Sequence, residues 1–147
     1  MIAIGCDHGG LELKKEICEH LKERGIEYKD FGTDSTDSID YPDIAIPVCK
    51  EVVKGDADLG ILVCGTGIGM SMVANKVKGI RAACCSDTFS AKFTRLHNNA
   101  NVLCMGGRVV GPGLAIELVD QFLDNDFEGG RHQRRVDKLM ETENLEV

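Results

Sequence analysis

No run of apolar residues in this chain approaches the length needed to cross a membrane as a helix. The opening Met1-Ile2-Ala3-Ile4-Gly5 has no basic stretch and no cleavage site, so no secretory leader is expected and a strand pattern starts at once. No C-x-x-C pair occurs among the seven cysteines (Cys6, Cys18, Cys49, Cys64, Cys84, Cys85 and Cys104), and their number is odd. Both facts argue against a disulfide framework and a cysteine-built zinc site, and for reduced thiols in a cytoplasmic protein. Basic residues are the minority: 17 Lys and Arg against 24 Asp and Glu leave a net charge of −7. Nucleic acid and anionic membrane surfaces are therefore not expected as partners. No repeat, linker or low-complexity tract divides the 147 residues, so one domain over 1–147 is expected. A chain of that size buries roughly 70% of its unfolded surface, enough for a core without staples.

What is present is a steady alternation of short apolar runs and helical patterns. Ile2 to Cys6 reads as a buried strand, and Leu13, Ile17 and Leu21 predict a helix reaching about Arg24, stopped by Gly25. A second strand is expected over 26–31, then a polar loop over 32–40. Ile44, Val48 and Val52 keep helical register from Tyr41-Pro42 to Lys54, with Pro47 expected to bend that helix or delay its start. The run 58–64 is apolar on both faces, as the centre of a parallel sheet requires. Further elements are expected as a helix over 70–77, a strand over 80–84, a helix from Asp87 to Leu96, a strand over 102–105, a helix over 112–123 and a polar helix from Gly130 onward. Together they predict an α/β fold: a Rossmann-like three-layer αβα sandwich with a five-stranded parallel sheet in the order 2-1-3-4-5, plus a C-terminal helix. Ligands on such sheets bind at the switch point, here between strands one and three. The loops leaving those strands are Asp7-His8-Gly9-Gly10 and Gly65-Thr66-Gly67-Ile68-Gly69.

The second loop puts three glycines in five residues between a buried strand and a helix, so that backbone N–H groups can converge on an anion. It lacks the third glycine of G-x-G-x-x-G, where Met70 stands, and the Gly-Lys-Ser/Thr of a phosphate-binding P-loop. A glycine turn that merely packs helix on sheet reads almost as well. Cys64 ends the strand at the mouth of this loop, placed to act as a base, though buried cysteines are commonly inert packing. Thr66 and Ser71 can bind a ligand or cap the helix. Asp7 and His8 leave strand one together, as an imidazole and its orienting carboxylate or as polar turn residues. His97-Asn98-Asn99 falls at a chain reversal and reads equally as a helix stop, while His20 reads as surface. Arg131 and Arg135 stand four apart and share a helical face, a fork suited to phosphate in an otherwise acidic chain. Arg108 follows the Gly106-Gly107 turn and is a further candidate.

These motifs together resemble one family, the type B ribose-5-phosphate isomerases with their galactose- and allose-phosphate isomerase relatives. The likeness runs through Gly5-Cys6-Asp7-His8-Gly9-Gly10, Asp40-Tyr41-Pro42, Cys64 to Ser71, His97-Asn98-Asn99-Ala100 and Gly130-Arg131-His132. It implies an aldose–ketose isomerase working on a phosphorylated sugar without metal or organic cofactor, through a cis-enediolate. Cys64 matches the base that moves the proton between C1 and C2, Thr66 its assisting hydroxyl, and Gly65, Gly67, Ile68 and Gly69 the loop that stabilises the enediolate. His97, with Asp7, matches the group that opens the furanose ring. His8, Tyr41, Ser71, Asn98, Arg108, Arg131 and Arg135 match substrate and phosphate ligands. The resemblance further implies a homodimer, or a tetramer, whose sites are shared between chains. Some relatives lack the cysteine and carry Glu where this chain has Met70, so this chain sides with the cysteine type. The alternatives are an allose 6-phosphate or galactose 6-phosphate isomerase, and a non-catalytic flavodoxin-like phosphate-binding module. One carbon of substrate length is worth only ~1–3 kcal/mol of discrimination, which leaves the sugar open.

Overall fold

The computed structural model describes all 147 residues, and no helix in it is long and apolar enough to cross a membrane. Five strands form one parallel sheet: β1 Ile2–Cys6, β2 Tyr28–Asp30, β3 Leu59–Cys64, β4 Ala82–Cys84 and β5 Val102–Gly106. Six helices surround it: α1 Leu11–Glu23, α2 Tyr41–Lys54, α3 Ile68–Ala74, α4 Thr88–Asn98, α5 Pro112–Leu123 and α6 Arg131–Glu141. The α/β class and the three-layer sandwich are as the sequence predicts.

The strand order is not. The sheet runs β2-β1-β3-β5-β4, so the last two strands exchange the places expected of them. Burial explains the exchange. All five residues of β5 are buried, as an interior strand must be, whereas β4 is three residues long and partly exposed, as suits an edge. The side chain of Asn75 covers part of that edge, accepting from the Ala82 N–H at 2.8 Å and donating to the Ala82 carbonyl at 2.9 Å. The same pairing ends α3 at Ala74, short of the expected Val77. The switch point between β1 and β3 survives, because their crossovers still leave in opposite directions.

Right-handed crossovers then dictate the layers. The step to β2 places α1 on one face, the long return across the sheet places α2 and α3 on the other, and the step back from β4 to β5 brings α4 round to the face of α1, with α5 packed between them. Two cores result. One joins Ile17 and Leu21 of α1, Ala91 of α4 and Leu118 and Phe122 of α5 to Ile4, Ile61 and Leu103 of the sheet. The other joins Ile44, Val48 and Val52 of α2 and Met70 and Ala74 of α3 to Ala3, Leu62 and Val102. Pro47 does not delay α2, which begins at Tyr41. His20 is not a free surface residue, since its Nε2 lies 2.6 Å from Asp120 Oδ1 and ties α1 to α5. Asn99, at φ 47°, is the left-handed stop that ends α4.

Candidate active site

The ends of β1, β3 and β5 bring one group of candidate residues together. Cys64 closes β3 at 5% exposure, and the Gly67 N–H donates to its Sγ at 3.1 Å. Gly67 holds φ 80°, and a Cβ there would fall 2.7 Å from the Met105 carbonyl carbon, so only glycine lets the loop lie against β5. Thr66 Oγ1 accepts from the Ile68 N–H at 3.2 Å and retains its own proton for donation. Ser71 spends its hydroxyl on the Ile68 carbonyl at 2.8 Å, inside α3. Tyr41, at the start of α2, covers Gly69 with its ring, and Arg108 lies over Gly65, where a Cβ would be 3.2 Å from Nη1. That position of Arg108 depends on β5, rather than β4, being the neighbour of β3.

Asp7 and His8 complete this group from the end of β1. Asp7 is buried, and one carboxylate oxygen accepts the Gly9 N–H at 2.9 Å. His8 Nδ1 accepts the Ile39 N–H at 3.2 Å. In a neutral ring that places the proton on Nε2, which becomes a donor. Ile39 belongs to the polar loop 32–40, whose other end is held by Lys14. The Lys14 ammonium, at 1% exposure, donates to Asp30 Oδ1 at 2.9 Å and to the Thr33 carbonyl at 2.7 Å. Burial alone would lower its pKa, but the Asp30 hydrogen bond and the surrounding negative charge raise it instead. Lys14 was legible only as a charge intruding between Leu11 and Ile17 on the apolar stripe of α1.

The five other buried thiols are poor bases. Burial pushes Cys6, Cys18 and Cys85 up to about 11 and Cys49 up to about 12, and raises Cys104 as well. Such groups stay protonated and unreactive at neutral pH.

A second group gathers elsewhere. His97 and Asn98 end α4, and α6 packs on that helix so that His97, Asn98, His132, Arg135, Val136 and Leu139 line a hollow of about 250 Å³. Arg131 stands one turn before Arg135, and both are exposed. Within a single chain this group stands apart from Cys64. The residues just after α4 sit level with the start of β3, where the Gly60 N–H donates to the Asn101 carbonyl at 2.9 Å. Cys64 lies four residues further along that strand, roughly 13 Å away at about 3.3 Å per residue. The two groups therefore occupy opposite ends of the sheet.

His97, Glu128 and His132 also bring their ligand atoms within 4.8 Å of one another, the one such cluster suited to a metal ion. The two rings are stacked only 10° from parallel, so their lone pairs lie in separate planes and cannot meet at one ion without a turn of at least one ring.

The model of the Ribose/Galactose Isomerase family matches residues 2–139 of this chain. The chain belongs to that family. It is 53% identical to the ribose-5-phosphate isomerase B of Escherichia coli over 94% of its own length and 93% of that protein. The ribose-5-phosphate isomerase B structure from Clostridium thermocellum matches with a TM-score of 0.96 at 52% identity, covering 97% of both chains. The Mycoplasma genitalium enzyme, solved with bound ribulose 5-phosphate, matches with a TM-score of 0.93 at 49% identity, covering 99% of this chain and 97% of that one. As a member, this chain is a sugar-phosphate isomerase.

Proposed function

We propose that this isomerase interconverts ribose 5-phosphate and ribulose 5-phosphate at sites built between two copies of the chain. The observation that carries the shared site is the split itself: a base at one end of the sheet, and the histidine and arginine fork at the other. A dimer that apposes the strand ends of one copy to the α4–α6 end of the second closes two equivalent sites. A tetramer would repeat the arrangement.

In such a site Arg131 and Arg135 of the second copy grip the phosphate, with the Nε2–H of His8 available to the sugar. Binding the remote phosphate fixes the reacting carbons. His97 of the second copy gives a proton to the ring oxygen as the C1–O bond breaks, and the C1 hydroxyl yields its proton to the free oxygen of Asp7. Cys64, as thiolate, then removes the proton from C2. The electron pair moves into the C1–C2 bond to give an enediolate whose oxygen faces the amides of Gly65 to Gly69; the O2 hydroxyl proton then passes to O1 as the proton held by Cys64 returns at C1, leaving the carbonyl at C2. No step calls for a metal. A cytoplasmic setting belongs to the same reading and is supported by the seven unpaired cysteines. The family name spans ribose and galactose, so a six-carbon phosphate is the second substrate reading.

Complementation tests the shared site. Cys64→Ala and His97→Ala chains, each nearly inactive alone, are co-assembled and assayed. Random mixing makes half the dimers mixed, each with one intact site, so activity recovers to about a quarter of wild type if the sites act independently. No recovery from verified mixed dimers overturns the shared site, and no turnover of ribose 5-phosphate by the wild-type chain overturns the substrate.

A further inference from the structure

His97 is not held by its own helix alone. Its ring lies flat against that of His132, with centroids 4.1 Å apart, and Phe93 meets it edge-on at 5.0 Å. Glu128 Oε2 stands 3.7 Å from Nε2 of His97 and 3.6 Å from Nε2 of His132. One carboxylate thus serves two imidazoles. The charged neighbours are Arg131 and Arg135 from α6 and Glu128 from the segment before it, while α4 contributes only His97. Two imidazolium rings at stacking distance, with two guanidinium groups beside them, would set four positive charges against that single negative one. Charging both rings at once is therefore opposed.

The two rings differ in exposure. His132 is buried, while the side chain of His97 is 36% exposed and faces the hollow. Burial holds His132 below the usual imidazole range, and charge on His97, Arg131 and Arg135 lowers it further against the pull of Glu128. The more buried ring backs the more accessible one.

We propose that His132 is a positioning residue for His97: its ring fixes the plane of His97, and Glu128, within reach of both Nε2 atoms, ties the two rings into one unit. The proposal rests on the reading of His97 as the group that opens the sugar ring. A flat plate behind the imidazole keeps its proton aimed at the ring oxygen, where small misplacements are costly to the rate.

Kinetics and imidazole NMR on the intact assembly test it. His132→Ala should lower kcat on ribose 5-phosphate about tenfold or more with little change in KM, and His132→Phe, which restores a flat ring but no titrating nitrogen, should recover most of the loss. In His97→Asn the His132 signals should titrate at higher pH than in wild type, and in Glu128→Gln at lower pH. Wild-type kcat in His132→Ala, or no recovery in His132→Phe, overturns the positioning role. A His132 titration unmoved by either neighbour's substitution overturns the coupling of His132 to His97 and Glu128, and this arm decides alone if the alanine variant does not fold. Full activity of His97→Asn instead overturns the parent reading of His97, a result recognisable on its own.

Discussion

The two ends of the sheet solve different problems with different materials. At the strand ends, Cys64, Asp7 and the glycine loop are set by backbone: the Gly67 N–H on Cys64 Sγ, the Gly9 N–H on Asp7, and β5 pressed against the turn. At the helix ends, Arg131, Arg135 and His97 reach out on side chains from a surface otherwise open to solvent. Moving a proton between adjacent carbons demands placement to a fraction of an ångström, which backbone supplies. Holding a phosphate demands charge and reach, which long guanidinium side chains supply. The buried half and the exposed half thus divide precision from capture.

Substitutions can break that division. The largest effect is expected for Cys64→Ala, which removes the proposed base and should lower kcat by ~10²–10⁴ while KM and melting temperature stay close to wild type. A kcat within a few-fold of wild type would move the base elsewhere and favour a binding module. Gly67→Ala comes next, because it touches precision and fold together. A side chain at φ 80° against Met105 should cost roughly 2–4 kcal/mol in chemical denaturation and most of the activity. Normal stability with normal activity would show that the loop is free to move. Arg135→Ala is the smallest of the three. Losing one charged contact of ~1.5–3 kcal/mol should raise KM and lower kcat/KM by about 10–150-fold, with kcat and stability nearly unchanged. A fall in kcat alone would place Arg135 in the chemistry and blur the two halves.

The strand-end half was the more legible in sequence. β1 and β3 are apolar on both faces, and the loops that follow them are the two most unusual in the chain, so the switch point and Cys64 could be read from residue types. The order of β4 and β5 could not. Both are short apolar runs, and which is interior depends on packing over the whole sheet, visible only once β5 is seen fully buried and β4 capped by Asn75. His97 and Arg135 were legible as chemistry, yet their distance from Cys64 follows from the direction in which α4 runs back along the sheet. Glu128 was unreadable as a partner, because it meets His97 only after α6 folds onto α4. Lys14 was hidden inside a helix whose pattern otherwise reads as plain amphipathic.

The place of β5 also imposes an order on synthesis. Because β5 inserts between β3 and β4, β3 is paired only on its β1 side and β4 has no strand beside it until the ribosome has released the chain as far as Gly106. Roughly 40 residues separate Cys64 from that point, an interval of about 2–8 s at ~5–20 residues per second. For that time the nascent protein carries an open, apolar strand edge on β3, of the kind that pairs readily with other chains. The growing polypeptide is thus open to aggregation through that edge until its last strand appears.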